Sequence, residues 1–343
     1  MSELVLIANA GDATVSVFAL EGDQLVHRAT TPLPGSSSAF AVDPVARLVY
    51  ASVKGDVPSI VTLRLDDSGA LVESSRTASG APMAYLELTP DGRWLLGASY
   101  HAGVGVVWPV GDGVLGTRAS EIAFPNLHCV KVTADGGHAY FVSLGAGLIA
   151  QYALDEGALT PLDPPTVPGP ERSGPRHLVL SDDESDAYLV TEFSGEVVRF
   201  ARDAAGRLTR AEARSIVDPD AGLVHSRFGA DPRSEHLIWG ADLHLAAGGR
   251  LALASERTAG TIASLALDAS GRLGEMVALR PTEPQPRGFA VTGDGTRAVV
   301  VGELSTTAIL YAVGADGVLT GLDRAETGRG ANWVRIIPGG APS

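Results

Sequence analysis

The segment TVSVFALEGDQL, residues 14–25, contains the pattern that recurs along this chain of 343 residues. A short run with alternating apolar positions leads into a turn of Glu, Gly and Asp, and the segment ends on Leu25. Alternation with a period of two that runs into a Gly- and Asp-rich turn is typical of a β-hairpin. The segment therefore predicts two antiparallel strands.

Seven segments of this kind follow one another along the chain. They end at Leu25, Leu71, Leu115, Leu159, Leu208, Leu273 and Leu319, with spacings of 46, 44, 44, 49, 65 and 46 residues. A fixed period of this length indicates a repeat architecture. The one long interval predicts an insertion of about 18 residues around residues 216–238, which we expect to form a loop over part of one face.

A second pattern, a turn followed by an apolar strand, alternates with the first. Six copies are complete, as in TPDGRWLLGAS (89–99), and the seventh is divided between SELVLIANA (2–10) and NWVRIIPGG (332–340). Each repeat then contains four strands, and the two ends of the chain complete one repeat together. The sequence predicts an all-β, seven-bladed β-propeller with a composite closing blade, a single domain over residues 1–343, and no long helix.

Composition and charge exclude some classes of function. Hydrophobic residues make up 45% of the chain, which excludes global disorder. The net charge is -14, and the only lysines are Lys54 and Lys131, so no basic run is present to bind a nucleic-acid backbone. An anionic substrate must therefore be bound by a local cluster of arginines inside an acidic protein.

Cysteine content and hydropathy indicate in which cellular compartment the protein is expected. A single cysteine, Cys129, allows neither an intramolecular disulfide nor a thiolate zinc cluster. No stretch reaches the roughly 18 apolar residues of a membrane span, and the first residues lack the basic region of a signal peptide. We expect a cytoplasmic protein that does not bind membranes, and a closed ring needs no obligate protein partner.

Strand order predicts which residues meet on one face of the ring. The innermost strand of each blade begins where the antiparallel second strand ends, so both positions lie at the same end of the channel. Inner-strand starts are Ser38, Ala84, Tyr85, His128, Arg176, His177, Asp242, Arg287, Asn332 and Trp333. Second-strand ends are Asn9, Lys54, Tyr100, His101, Leu144, Glu192, Glu256 and Glu303. Many of these are charged or aromatic, whereas the strand interiors are aliphatic, which predicts a small-molecule site on this face.

Three segments resemble the propeller-type 6-phosphogluconolactonase family. They are SGPRHLVL (173–180), GADLHLAAGGRLALASERT (240–258) and RPTEPQPRGFAVTGDG (280–295), and PNLHCVKVTADGG (125–137) supports them. The resemblance covers the whole chain, and the superfamily is similar to fungal carboxymuconate-lactonising enzymes. Thr191 and His101 stand where family members often carry Asn.

The resemblance implies a lactone hydrolase that opens 6-phosphoglucono-1,5-lactone in the pentose phosphate pathway without a cofactor. It places the catalytic residues at His128, Arg176, Glu192 and Arg287. Glu192 and His128 are alternative general bases, because a carboxylate beside arginines is ionised but weakly basic, whereas histidine titrates near neutral pH. One arginine could face the carbonyl oxygen and the other a phosphate or carboxylate, or both could form ion pairs that join blades.

Neighbouring residues complete the predicted site. Candidate substrate-binding residues are Tyr100, His101, His177, Asp242 and Trp333, and His177, Asp242 and His244 could instead join blades by hydrogen bonds. Glu256 and Glu303 raise the alternative of a calcium site, but arginines nearby would repel a cation, so we predict no metal. Cys129 follows His128 on a strand and should point the opposite way, which disfavours a Cys–His pair.

Two other functions stay open at this stage. One is a muconate-type lactonising or isomerising enzyme on a related site. The other is a non-catalytic propeller that serves as a binding scaffold, which the concentration of charged residues at the channel end disfavours. The substrate in the leading hypothesis is a small sugar lactone or a similar anionic lactone.

Overall fold

The structure, a computed structural model, describes residues 3–338, and nearly all of its regular elements are strands. The first sixteen strands are β1 (Glu3–Asn9), β2 (Thr14–Glu21), β3 (Gln24–Pro32), β4 (Ser37–Asp43), β5 (Leu48–Val53), β6 (Ser59–Leu65), β7 (Leu71–Ala78), β8 (Tyr85–Leu88), β9 (Trp94–Ser99), β10 (Val104–Gly111), β11 (Val114–Leu115), β12 (Ser120–Ala123), β13 (Leu127–Val132), β14 (His138–Ser143), β15 (Leu148–Asp155) and β16 (Ala158–Pro168). The remaining strands are β17 (Pro175–Leu180), β18 (Asp186–Thr191), β19 (Glu196–Arg202), β20 (Leu208–Ser215), β21 (Gly240–Ala246), β22 (Leu251–Glu256), β23 (Thr261–Leu267), β24 (Leu273–Pro281), β25 (Gly288–Val291), β26 (Arg297–Val301), β27 (Thr307–Val313), β28 (Leu319–Glu326) and β29 (Ala331–Pro338).

These strands form seven antiparallel sheets, each built from consecutive strands except one. The exception has the order β29-β1-β2-β3, so the last strand pairs with the first. We call this sheet blade 1, and blades 2 to 7 begin at β4, β8, β13, β17, β21 and β25. In blade 3 the outer strand is divided into β11 and β12. The predicted seven-bladed β-propeller with a composite closing blade is confirmed. The single-domain prediction for 1–343 stays a prediction, and residues 1–2 and 339–343 lie outside the described part.

Burial explains why the strands differ in sequence. All six residues of β5 are buried, and so are all six of β18, because second strands lie between neighbouring blades on both faces. The outer strand β7 has mostly exposed positions after Leu71. Apolar second strands thus join the blades through a shared core, whereas polar outer strands prevent pairing with other chains.

The inner strands surround the channel in the order β29, β4, β8, β13, β17, β21 and β25, and each packs on the next. The long interval in the repeat lies between β20 and β21, as predicted. It contains a 3₁₀ turn (Pro219–Ala221) and one four-residue helix, α1 (Pro232–Glu235). The Ser226 backbone N–H donates to the Phe193 carbonyl at 2.9 Å. The insertion therefore lies beside the end of β18, on the face where the sequence predicts the site.

Candidate active site

A cavity of about 250 Å³ opens at one end of the channel. Its volume is slightly below the range of roughly 300–1,000 Å³ that is typical of small-molecule pockets. The residues around it come from blades 2 to 7 and the insertion: Ser38, Lys54, Pro82, Met83, Ala84, Tyr100, His101, His128, Glu192, Trp239, Arg257 and Arg287. Eight of these residues are ones that strand order predicted for this face. They are Ser38, Lys54, Ala84, Tyr100, His101, His128, Glu192 and Arg287.

Glu192 lies at the centre of the charged part of the wall. Its Oε2 accepts a hydrogen bond from Arg176 Nε at 2.9 Å, and Arg257 Nη2 lies 2.9 Å from the same oxygen. Within residues 3–338, Oε1 accepts no hydrogen bond, and the side chain is 15% exposed to the cavity. One carboxylate oxygen is therefore fixed by two arginines, and the other is available to a water molecule or a substrate.

The charge state of Glu192 depends on whether burial, which raises its pKa, outweighs the nearby arginines, which lower it. Burial acts to raise the pKa of this carboxyl group, but Arg257, Arg176 and Arg287 together outweigh it and hold the pKa below its usual value of 4.5. Glu192 is consequently ionised at neutral pH.

Arg176 is placed behind Glu192 and not in the cavity wall. Its side chain is 1% exposed, and Nη1 donates a hydrogen bond to the carbonyl of Ala241. Arg176 Nε and Nη1 are engaged within the protein by Glu192 and the Ala241 carbonyl, and the predicted contact of Arg176 with a substrate carbonyl or phosphate stays a prediction. The structure shows an ion pair, but Arg176 and Glu192 both belong to blade 5. Blades 5 and 6 are joined by the hydrogen bond from Arg176 to Ala241 and by the ion pair between Arg257 and Glu192.

His128 reaches the cavity from the start of β13. Its ring packs edge-on against Tyr100 and tilted against His177, with ring centres 5.6 and 5.1 Å apart. Nδ1 is buried without a hydrogen-bond partner in the described part of the chain. Burial, helped by the charge of Arg176, holds the pKa of His128 well below 6.5, so the ring is neutral. The ordinary pKa that the sequence suggested does not apply to this buried ring.

Arg287 is the predicted arginine that does face the cavity. Its side chain is 30% exposed, and Nη1 donates to Glu303 Oε1 at 3.2 Å. Burial acts to raise the pKa of Glu303, but Arg287, the Gln285 hydrogen bond, Arg257 and Arg176 together outweigh it, and the net pKa is below its usual value. Glu303 thus supports Arg287 from behind and leaves the guanidinium partly open to a ligand.

Arg257 is a cavity residue that the sequence analysis missed. Its guanidinium lies 3.8 Å from the centre of the Trp239 ring, and Nη2 donates to the Gly240 carbonyl at 3.1 Å. Burial lowers the pKa of Arg257 to about 9, so the group is still cationic at neutral pH. Trp239, at the end of the insertion, was missed as well.

Comparison with known proteins decides the family. The family described as "Lactonase, 7-bladed beta-propeller" matches residues 7–336. The chain belongs to this lactonase family. It is 26% identical over 341 residues to a 6-phosphogluconolactonase of Klebsiella pneumoniae, and 27% identical over 343 residues to one of Serratia proteamaculans; in both cases 98% of this chain and 99% of the relative are covered.

Solved structures agree with this assignment. A periplasmic gluconolactonase of Pseudomonas aeruginosa is 26% identical, with a TM-score of 0.86 over 98% of this chain and 99% of that one. A protein from Lactobacillus plantarum, 21% identical, has the same fold, with a TM-score of 0.87 over 98% of this chain and 100% of that one. The chain is therefore a lactone hydrolase, and its substrate is a small-molecule lactone.

A signal for Arg257 was present in the repeat of this lactonase. Gly103, Gly147, Gly195 and Gly260 all have positive φ and follow second strands. Counting three residues back from each gives Tyr100, Leu144, Glu192 and Arg257. The strand-end position predicted from the repeat was Glu256, one residue early. Because side chains alternate along a strand, that shift selects the opposite face.

Glu256 indeed points away from the cavity. Its two oxygens accept hydrogen bonds from the backbone N–H groups of Trp239 and Ala259, both at 2.6 Å. With Glu303 engaged by Arg287, neither carboxylate considered for calcium is free. Among residues 3–338, no group of three or more His, Cys, Asp or Glu side chains could hold a metal ion.

Three candidate substrate-binding residues lie below the cavity floor. His177 Nδ1 is 2.7 Å from Asp242 Oδ1, and burial together with Arg176 lowers the pKa of His177 to about 3. Trp333 is buried, and its indole N–H donates to the Phe40 carbonyl at 3.0 Å. These side chains are not brought to the wall, because they fill the channel between the inner strands; Tyr100 and His101 do line it.

Two further predictions concern the rest of the chain. Cys129 is buried in the core, away from the cavity that His128 lines, and burial raises its pKa to about 12, so it is no nucleophile. In the part of the chain that the structure describes, no helix is long and apolar enough to cross a membrane.

Proposed function

We propose that this lactonase hydrolyses 6-phosphoglucono-1,5-lactone to 6-phosphogluconate. The names of the Klebsiella and Serratia relatives support the substrate. The observation that carries the proposal is the composition of the cavity wall. Lys54, Arg257 and Arg287 are cationic, and among residues 3–338 Glu192 is the only carboxylate there, in a protein of net charge -14. A local positive site in an acidic protein fits an anionic substrate.

Glu192 is the proposed general base, through its open Oε1. A water molecule hydrogen-bonded to Oε1 attacks the lactone carbonyl carbon, and its proton moves to the carboxylate. The carbonyl oxygen becomes an oxyanion in the tetrahedral intermediate. The intermediate then expels the ring oxygen, which takes the proton from Glu192 and so returns Glu192 to a carboxylate. One C–O bond has formed, one has broken, and a carboxylic acid and a hydroxyl group result. The acid ionises in solution.

Two wall residues are positioned to stabilise the oxyanion. Arg287 presents a partly free guanidinium, which suits a developing negative charge. His128 is neutral and lines the cavity, so we assign it hydrogen bonding to the substrate instead of proton abstraction. Arg257 and Arg176 keep Glu192 ionised and fix its orientation. The lowered pKa weakens Glu192 as a base, but fixed orientation compensates by holding water in place.

The test is hydrolysis of freshly prepared 6-phosphogluconolactone and of unphosphorylated gluconolactone, with a chelator present. We expect wild-type turnover above the spontaneous rate, and a kcat about 10²–10⁴-fold lower in Glu192→Gln, the range typical of a lost general base. Glu326→Gln, at an exposed carboxylate on the outer strand β28, serves as the control and should behave as wild type.

Each other outcome changes the proposal. Activity that the chelator removes would indicate a calcium-dependent enzyme, against the repulsion expected from a cationic wall. Turnover of a muconate without turnover of either sugar lactone would favour the muconate-type enzyme, whose relation to this chain stays a prediction. Inactivity on every lactone would leave only a binding scaffold.

Hydrolysis needs only water as the second reactant, so we propose that the enzyme works without a cofactor, a nucleic acid or an obligate protein partner. A cytoplasmic location fits a phosphorylated substrate, which does not diffuse across membranes. The Pseudomonas relative is described as periplasmic. Cell fractionation with an antibody to the native chain distinguishes the two locations.

A further inference from the structure

We propose that blades 2 and 3 form an anion subsite, made of Lys54, Ser38 and His101, that binds the phosphate of the substrate away from the reacting carbonyl. This inference rests on the proposed function and adds a specificity determinant to it. All three residues line the cavity. Lys54 was only a strand-end residue in the sequence analysis, and it had no assigned role.

The pairing of the cavity cations singles out Lys54. Arg257 is paired with Glu192, and Arg287 is paired with Glu303. Within residues 3–338, no carboxylate oxygen lies within 4.0 Å of Lys54 Nζ. Asp56, two residues further on, is also more than 4.0 Å away. Lys54 is therefore the one cation of the wall whose charge is not balanced by a protein carboxylate in the described part of the chain.

The other two residues also have unused hydrogen-bonding capacity. The Ser38 hydroxyl and the His101 ring make no side-chain hydrogen bond in the described chain. The Lys54 backbone N–H donates to the Ser36 carbonyl at 2.8 Å, which holds Lys54 beside the segment that carries Ser38. An ammonium group, a hydroxyl and an imidazole on one wall are suitable donors for a phosphate.

The ring places this subsite across the cavity from the proposed base. Lys54 directly follows β5, as Glu192 directly follows β18, so the two occupy equivalent positions in blades 2 and 5. Blades 2 and 5 are three steps apart in a ring of seven, and this is the largest separation the ring allows. In 6-phosphogluconolactone the phosphate is attached through C6 to C5, on the other side of the ring oxygen from C1. A substrate with C1 at Glu192 can thus direct its phosphate toward Lys54.

The experiment compares Lys54→Gln with wild type on the phosphorylated and the unphosphorylated lactone. We expect kcat/KM for 6-phosphogluconolactone to fall roughly tenfold through KM, the effect of losing one charge-assisted contact, with kcat nearly unchanged. The value for gluconolactone should change less than about twofold. Lys54→Arg should restore most of the loss, because it keeps the positive charge.

Arg64→Gln is the matched control. Arg64 is exposed on β6 of the same blade and pairs in register with Leu48, at the end of the blade away from the cavity. Its removal lowers the net charge equally but should leave both substrates unaffected. An equal loss in Arg64→Gln would mean that overall charge, and not a subsite, attracts the substrate.

Binding of the product 6-phosphogluconate by calorimetry gives a readout besides turnover. Weaker binding in Lys54→Gln, with gluconate binding unchanged, is the expected result. If wild type prefers the phosphorylated lactone and Lys54→Gln keeps that preference, the subsite is overturned and the proposed function stands. If wild type opens gluconolactone as fast as the phosphorylated lactone and does not bind 6-phosphogluconate more tightly than gluconate, both proposals fail.

Discussion

The two sides of the cavity are built differently. On the side of blades 5 and 6, charged groups are buried and paired with one another, as Glu192 is with Arg176 and Arg257. On the side of blades 2 and 3, Lys54 and His101 are exposed and unpaired within the described residues. The first arrangement holds its groups in fixed positions before substrate binds, which is what catalysis requires. The second leaves its groups free for a ligand.

The largest expected difference between the sides is in stability. Arg176→Met removes a fully buried partner of Glu192, and we expect the free energy of unfolding to fall by about 3 kcal/mol, as for other broken buried ion pairs. Denaturant-induced unfolding at pH 7 measures it.

Lys54→Met is the comparison variant on the open side. Because Lys54 is exposed and has no paired carboxylate in residues 3–338, its loss should change the free energy of unfolding by less than about 0.5 kcal/mol. Equal losses in the two variants would show that the paired side is no more tightly built than the open side.

A smaller effect is expected from Arg257→Lys, which keeps the charge beside Glu192 but removes the planar contact with Trp239. We expect kcat/KM to fall roughly tenfold, since a stacked guanidinium contributes about 1–2 kcal/mol and lysine cannot replace its geometry. Steady-state kinetics on the phosphorylated lactone measure the loss.

Arg280→Lys supplies the control for this substitution. Arg280 lies 5.7 Å from the Tyr311 ring on the outside of the propeller, so the same replacement is made far from the cavity. Similar losses in Arg257→Lys and Arg280→Lys would contradict a specific role for the Arg257 contact.

The fold could be predicted almost completely because it is a repeat. Every blade repeats the same turn chemistry, so an error in one copy is corrected by the other six. Even the split blade was visible, since SELVLIANA and NWVRIIPGG each lack the half that the other supplies. Predicting the fold depends on two periods, the two-residue alternation along a strand and the repeat of about 45 residues, and both occur many times in the chain.

The site was less predictable because it depends on single residues. Strand order predicted the position of Glu192 at the end of the channel where the cavity opens, but the one-residue error at Glu256 missed Arg257. Trp239 belongs to the insertion, the one part of the chain without a repeat to align it. Trp333 was misplaced because a residue at the start of an inner strand can point either into the cavity or into the channel below, and alternation alone does not decide which.

The pH dependence of kcat/KM tests the charge states of Glu192 and His128. Glu192 acts as a carboxylate, and its pKa is below 4.5, so activity should be present at neutral pH and be lost as the pH falls below that value. After subtraction of the spontaneous rate, we expect less than a twofold change between about pH 6 and 8. An inflection near pH 6.5 that is also seen with gluconolactone, which carries no phosphate, and that persists in His101→Gln would show that His128 titrates in the active enzyme, and it would contradict the neutral buried ring.

The smallest effect, and the most direct comparison of the two sides, is the response to salt. Exposed charges are screened at high ionic strength, because the Debye length falls from about 10 Å at 0.1 M to about 3 Å at 1 M, whereas buried pairs are screened much less. Salt should therefore raise KM for the phosphorylated lactone by roughly two- to fivefold through Lys54. It should leave kcat unchanged, since Glu192 and its arginines are buried. The gluconolactone KM is the internal control, and a response of the same size there would assign the salt effect to the protein as a whole and not to the open side of the cavity.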